Sequence, residues 1–239
     1  MANSDQLRRS KEQHKPKNVQ SKNDEKLIYA AMRQTISYLQ VRLGNHLEEY
    51  RLEFEREISF DQLIRIIGNS GLRKEFDSTF ANRVIKPDGG VILLHKHDDP
   101  NYIRLVLVAE VKRQGTNVQR AKEGKARQAQ GNAIERLGKN LTGIKAALNH
   151  EPLTPFVCFG QGCDFVEDYD ETSFVMSKIS MMNEFYSLNR TYIFKRDGSS
   201  ERNHFAPVSM YFREDDWTQE EMFEILKEIG ETSIRYYIF

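Results

Sequence analysis

Cysteine is scarce: Cys158 and Cys163 are the two in 239 residues, and no His/Cys cluster accompanies them. A disulfide framework or a structural zinc site is therefore unsupported, and both are expected as free thiols. No apolar run comes near the roughly 18 residues of a membrane span, and no signal-like apolar segment opens the chain. The expectation is a cytoplasmic protein that neither crosses a membrane nor is secreted. Also missing are a phosphate-cradling P-loop, a Gly-x-Gly-x-x-Gly turn, a Cys/His metal spacing and a Ser/His/Asp set. Net charge is absent as well, since 35 Lys and Arg balance 35 Asp and Glu. A nucleic-acid partner must then be argued from the distribution of charge and not from its sum.

That distribution is uneven. Residues 112–145 carry nine Lys or Arg against two Glu, whereas residues 201–239 carry four against nine acidic residues. The first stretch is the footprint expected for phosphate contact, and the acidic end should face away from it. With 39% hydrophobic residues, the chain is long enough to bury a substantial single core. Residues 1–23 are polar and basic and are expected to form a disordered arm, with one domain over residues 24–239.

Chemistry concentrates in residues 85–140. Leu105-Val106-Leu107-Val108-Ala109 is too short for a helix and reads as a strand buried on both faces. It ends abruptly in polar residues. Alternation along the strand sends Glu110 and Lys112 to one face and Val111 to the other. Upstream, Pro87-Asp88-Gly89-Gly90 is turn chemistry opening a second apolar run, Val91 to Leu94, and the two runs can pair as an antiparallel hairpin. His95 and His97 then fall in the hairpin loop as surface residues. Such pairing brings Asp88 beside Glu110. Two carboxylates so placed repel unless a positive centre lies between them, and Mg²⁺ bound through oxygen suits that role. A neighbouring Lys112 could orient or deprotonate a water, or stabilise charge on a phosphoryl oxygen, which points to phosphodiester hydrolysis. A turn Asp with a surface Glu and Lys is the bland alternative.

From Gly131 onward, Ile134, Leu137, Leu141, Ile144 and Leu148 recur at intervals of three and four, the pattern of an amphipathic helix. Asn132, Glu135, Arg136 and Lys139 gather on its opposite side. Asn can pair with adenine, Glu can accept from an exocyclic amine and Arg can donate to bases or phosphate. A solvated face with a Glu/Arg pair is the other reading of these residues. Pro155 to Phe159 reads as a further buried strand, giving strand, helix, strand with a right-handed crossover. The predicted fold class is α/β, a central mixed sheet flanked by helices. Scaffold helices are expected over residues 24–43 and after two capping boxes, Ser59-Phe60-Asp61-Gln62 and Thr218-Gln219-Glu220-Glu221. Residues 191–194 suggest another strand, and the aromatic end Tyr236-Tyr237-Ile238-Phe239 could be core or subunit interface.

Lys86-Pro-Asp-Gly-Gly90, Val106-Leu-Val-Ala-Glu-Val-Lys-Arg-Gln-Gly115 and Gly131-Asn-Ala-Ile-Glu-Arg136, followed by Lys139-Asn140, resemble the EcoRI family of type II restriction endonucleases. That family lies within the PD-(D/E)xK nucleases. The likeness is dense over residues 85–140 and continues weakly to the C-terminus. It implies a restriction-endonuclease-like fold and a Mg²⁺-dependent enzyme that cleaves double-stranded DNA and leaves 5′-phosphates. By the same resemblance Asp88, Glu110 and the main-chain carbonyl of Val111 would hold the metal, and Lys112 would position or activate water. Asn132, Glu135 and Arg136 would read adjacent adenines in a palindrome with an AATT core. Residues 113–130 would form an arm that embraces DNA, with Arg127 and Gln130 just ahead of the reading helix. A homodimer, a bacterial or archaeal source and a cognate methyltransferase are also implied. Residues 177–190 lack the paired arginines that follow the reading helix in the family's type enzyme, so the outer base pair is left open. The alternatives from other classes are a repair or recombination nuclease that reads structure, and a DNA-binding protein without catalysis.

Overall fold

The computed structural model describes residues 15–67, 83–113, 124, 131–148, 154–162, 209–213 and 215–238. Five strands form one mixed sheet in the order β1 (Tyr50–Glu55), β4 (Gly90–Lys96), β5 (Ile103–Arg113), β6 (Phe156–Gln161), β7 (Ser209–Arg213). The pairs β1/β4 and β4/β5 are antiparallel, whereas β5/β6 and β6/β7 are parallel. The long strand β5 is thus central, buried on both faces as its unbroken apolar run requires. A separate two-stranded ribbon pairs β2 (Ile58–Ser59) with β3 (Val84–Ile85).

Helices cover both faces. On one lie α2 (Phe60–Ile67) and α3 (Gly131–Ala147), which pack Leu63, Ile66, Leu137, Leu141 and Ile144 against Val91, Leu93, Leu105, Val108, Phe156 and Cys158. On the other, α1 (Lys15–Leu43) and α4 (Gln219–Ile238) bury Ile28, Met32, Leu39, Met222 and Leu226 against Ile92, Leu94, Val106, Leu107 and Phe159. These two helices approach closely at Gly230, where a Cβ would stand 2.8 Å from Leu39 Cδ1. Tyr38 and Arg42 both donate to Glu231 at 2.6 and 2.9 Å across the same seam. The predicted α/β layering, with a mixed sheet between helices, is what the chain adopts.

Both capping boxes form. Ser59 N–H donates to Gln62 Oε1 at 2.8 Å while Gln62 N–H donates to Ser59 Oγ at 3.1 Å. Thr218 and Glu221 exchange the corresponding bonds at 2.9 and 3.2 Å.

Several expectations are corrected. The first helix begins at Lys15, so residues 15–23 continue α1 and do not form the disordered arm expected to reach residue 23. Lys, Gln and Asn tolerate an exposed helix, and Asp24, where the expected helix begins, is instead buried within it against a partner from β5. Residues 1–14 lie outside the described residues. His95 belongs to β4, pairs with Ile103 and is buried, not exposed in a loop. Residues 191–194 and Cys163 also lie outside the described residues, while Cys158 is a buried free thiol. The aromatic Tyr236 and Tyr237 extend α4, half buried.

The pairing of β4 with β5 contains a β-bulge. Leu93 stands opposite Leu105 and Ile92 opposite Leu107, so Val106 is an extra residue on β5. Ile103 and Leu105 lie on the α2/α3 side before it; Val108 lies on that side after it, while Val106 and Leu107 both lie on the α1/α4 side. The bulge therefore changes the phase of the strand, and Glu110 and Lys112 arrive on the α3 face.

Candidate active site

Asp88 sits in the turn that starts β4. Gly90 N–H closes it by donating to Pro87 O at 3.1 Å, and Gly90 itself has φ +83°, a left-handed conformation that a side chain would strain. Gly89 N–H donates to Ala109 O at 2.9 Å, which fastens the turn to β5 next to Glu110. A Cβ on Gly89 would lie 2.8 Å from Ala109 Cβ and 2.9 Å from Ile28 Cγ1, so only glycine allows this approach.

The turn and strand bring three charged side chains into one cluster. Lys112 Nζ lies 2.6 Å from Asp88 Oδ2 and 2.5 Å from Glu110 Oε1, while Asp88 N–H reaches Glu110 Oε2 at 3.3 Å. Glu110 is 1% exposed, Lys112 13% and Asp88 25%, so the cluster is closed on the core side and open at Asp88. Burial pushes the Glu110 carboxyl above its usual range; the Lys112 ammonium opposes that shift and Asp88 reinforces it. For Lys112 burial favours the neutral form, but the two carboxylates outweigh it and raise its pKa above the ordinary lysine value. The lysine is thus a fixed cation between two anions. Behind it the Cys158 thiol, paired in register with Glu110, is pushed up by burial and stays protonated.

Asn140 completes the arrangement, its Nδ2 donating to Glu110 Oε1 at 3.2 Å. It stands one turn after Arg136 on α3, so the helix that carries the expected base-reading residues also touches the buried carboxylate. The sequence reading assigned Asn140 no role; the helical spacing of four from Arg136 was the available signal. A second missed residue is Arg113, which follows Lys112. It donates to both oxygens of Asp24 on α1 at 2.6 and 2.9 Å and pairs with Asp216 at 2.8 Å. Nothing local announces it, because Asp24 lies 89 residues away.

Of the residues expected to act, Asp88, Glu110 and Lys112 meet, and Val111 is buried on the opposite face of β5, as alternation demands. Arg136 lies exposed on α3. Asn132 and Glu135 fall in the first turns of α3, but their side chains lie outside what the structure describes, as do Arg127, Gln130 and residues 177–190 altogether.

Whether a divalent cation fits is a question of donors. One ammonium already contacts both carboxylates, so a single positive centre can serve them together. Among the described residues no three His, Cys, Asp or Glu side chains converge as a metal cage. Two hard carboxylates with a nearby main-chain carbonyl suit Mg²⁺, which keeps waters and takes oxygens from a phosphate substrate. The residues present fit the ion.

A family model described as Restriction endonuclease EcoRI matches residues 13–238. Among curated proteins, the type II restriction enzyme RsrI of Cereibacter sphaeroides is 30% identical over 178 residues, which is 63% of this chain and 63% of that protein. The type II restriction enzyme EcoRI of Escherichia coli is 29% identical over 187 residues, 65% of each. The aligned part therefore spans just under two thirds of either relative.

Proposed function

The chain belongs to the EcoRI family of restriction endonucleases, and from that premise we propose that it is a type II site-specific deoxyribonuclease acting on double-stranded DNA. The carrying observation is the meeting of Asp88, Glu110 and Lys112 at the open end of the β4/β5 hairpin. Asp88, Glu110 and the Val111 carbonyl would hold Mg²⁺. When bound, that ion supplies positive charge to the phosphoryl oxygens. The residues of the chain do the rest. Asp88, the least buried member, faces the scissile phosphate, and buried Glu110 is held in place by Asn140 and the Asp88 N–H. Lys112, whose ammonium already contacts Asp88 and Glu110 and has a third hydrogen to give, positions the attacking water and stabilises charge as it builds on phosphorus. In-line attack forms the new P–O bond and breaks the P–O3′ bond, leaving a 5′-phosphate and a 3′-hydroxyl.

Specificity is assigned to α3. Asn132, Glu135 and exposed Arg136, with Gln130 and Arg127 ahead of them, read adjacent adenines in an AATT core. A palindrome of that kind matches a two-fold homodimer in which each subunit cuts one strand. A cognate methyltransferase would protect the host site. No helix among the described residues is long and apolar enough to cross a membrane.

The test is digestion of a plasmid of known sequence, with Mg²⁺ or with a chelator, followed by sequencing of the fragment ends. Discrete Mg²⁺-dependent fragments sharing AATT are expected, and Lys112→Ala should abolish them while the protein still binds DNA. Smeared products would replace this reading by a nonspecific nuclease. An intact plasmid would replace it by a binding protein.

A further inference from the structure

Beside Asp88, on the side of α1, lies an open cleft of about 430 Å³. Lys22, Lys26, Arg56 and Lys86 line it, against the carboxylates of Glu25 and Asp88. Asp88 is already engaged by Lys112. No ion pair among the described residues engages Lys22, Lys26, Arg56 or Lys86, although other surface cations, such as Arg42, Arg51 and Arg213, do pair with carboxylates. A chain with zero net charge thus sets four cations against two carboxylates at one edge of its candidate active site.

Aromatic rings hold this surface in shape. Lys22, Lys26, Tyr29 and Arg33 recur along α1 at intervals of four, three and four, so they form one stripe. The Arg56 guanidinium lies 4.7 Å over the Tyr29 ring, Tyr29 meets Phe54 edge-on at 5.2 Å, and Arg33 lies 5.6 Å over Phe54. A guanidinium steadied on a ring keeps its N–H donors for another ligand, and the natural ligand for a planar fork of donors is a phosphate.

We propose that the cleft is a phosphodiester subsite that takes the backbone of the cut DNA strand beyond the scissile phosphate. The proposal rests on the nuclease reading. It differs from base reading in origin, since α1, the end of β1 and the Pro87 turn carry none of the residues assigned to bases. Its contacts are therefore indifferent to sequence. It continues directly from Asp88, so a strand whose phosphate sits at Asp88 enters the cleft with its neighbouring phosphates.

The experiment measures binding of the full chain to two duplexes by fluorescence anisotropy, one containing AATT and one of the same composition scrambled, in chelator and over a range of KCl. Wild type is compared with the triple variant Lys22→Gln/Lys26→Gln/Arg56→Gln and with Lys22→Glu/Lys26→Glu. Thermal midpoints verify that both variants fold. Each phosphate contact contributes about −0.9 to the slope of log K against log salt. The triple variant should lose affinity for both duplexes by the same factor, roughly tenfold or more at low salt, with a slope shallower by about 2.7 if each of the three cations holds one phosphate. The Glu pair should lose more. An unchanged slope in a folded variant overturns the subsite, and so does a loss confined to one duplex. Wild type that binds with a steep salt slope but cuts no plasmid sinks the nuclease reading and leaves the anionic subsite standing. Wild type that cuts, beside a triple variant with unchanged slope, sinks the subsite alone.

Discussion

Replacing Lys112 by methionine keeps the length of the side chain and removes the ammonium that bridges Asp88 and Glu110 at 2.6 and 2.5 Å. Glu110 is 1% exposed, so water cannot take over the lost contact. Breaking a buried ion pair from one side costs about 3–5 kcal/mol. Two features hold the cost to the lower end, about 3 kcal/mol: Asp88 is a quarter exposed, and Asn140 and the Asp88 N–H still donate to Glu110. For a chain of this length that corresponds to a fall in thermal midpoint on the order of 10 °C, or less. The sign of the pH dependence follows from Glu110. Its folded pKa is already raised by burial, with Lys112 opposing and Asp88 assisting. Removing the lysine raises it further, so the native state of the variant holds a proton that the unfolded chain has released. Stability is then lost as pH rises through the window between the unfolded carboxylate value and the raised one. The deficit against wild type should be larger at pH 8 than at pH 5.5. Millimolar Mg²⁺ should restore part of it, raising the variant's midpoint more than that of wild type, because ligand binding to the native state adds stability. Urea or thermal unfolding in chelator and in Mg²⁺ measures all three. A variant as stable as wild type at pH 8, or a deficit that grows on acidification, would refute the reasoning.

Asp24→Asn should cost about 2–3 kcal/mol, since it removes a buried partner that takes two bonds from Arg113, whereas Asp216→Asn, at 69% exposure, should cost under about 1 kcal/mol. Equal shifts in urea midpoint would show that burial does not decide the matter. Gly89→Ala must push the Asp88 turn off Ala109 and Ile28, at about 1–3 kcal/mol by melting, and cleavage should fall by more than the stability loss explains. His95 is held neutral by burial, its pKa lowered below 6.5. The unfolded chain therefore binds the extra proton, and the stability His95 confers is lost as pH falls from 6.5 through the lowered folded value. His95→Gln should flatten the change in midpoint between pH 7 and pH 5, and an unchanged profile would contradict the assignment.

What the sequence discloses is what short range determines. The Pro87-Asp88-Gly89-Gly90 turn, the polar end of the Leu105 run, the spacing of three and four in α3 and both capping boxes depend on neighbours within a few residues, and each forms as read. The pairing of Asp88 with Glu110 was legible because a hairpin fixes its own register. Arg113 with Asp24, and Asn140 with Glu110, were not, because each joins elements that only packing brings together. Strand β7 is short and was missed. The phase of β5 was hidden for a different reason: in an unbroken apolar run both faces look alike, and a bulge leaves no mark.

That bulge divides β5 into two segments with different histories open to them. Insertions or deletions in the loop of residues 97–102 lie before the phase change and leave the chemistry where it is. Deleting Val106 would set Leu105 and Leu107 side by side opposite Leu93 and Ile92, so the strand would become regular while Glu110 and Lys112 stayed on the α3 face; closing the bulge without a deletion would turn them toward α1. A lineage that lost that one codon would keep both its core and its cluster of charges. The chain between Leu105 and Glu110 thus carries one residue more than its pairing needs, and the charged residues are the stricter inheritance.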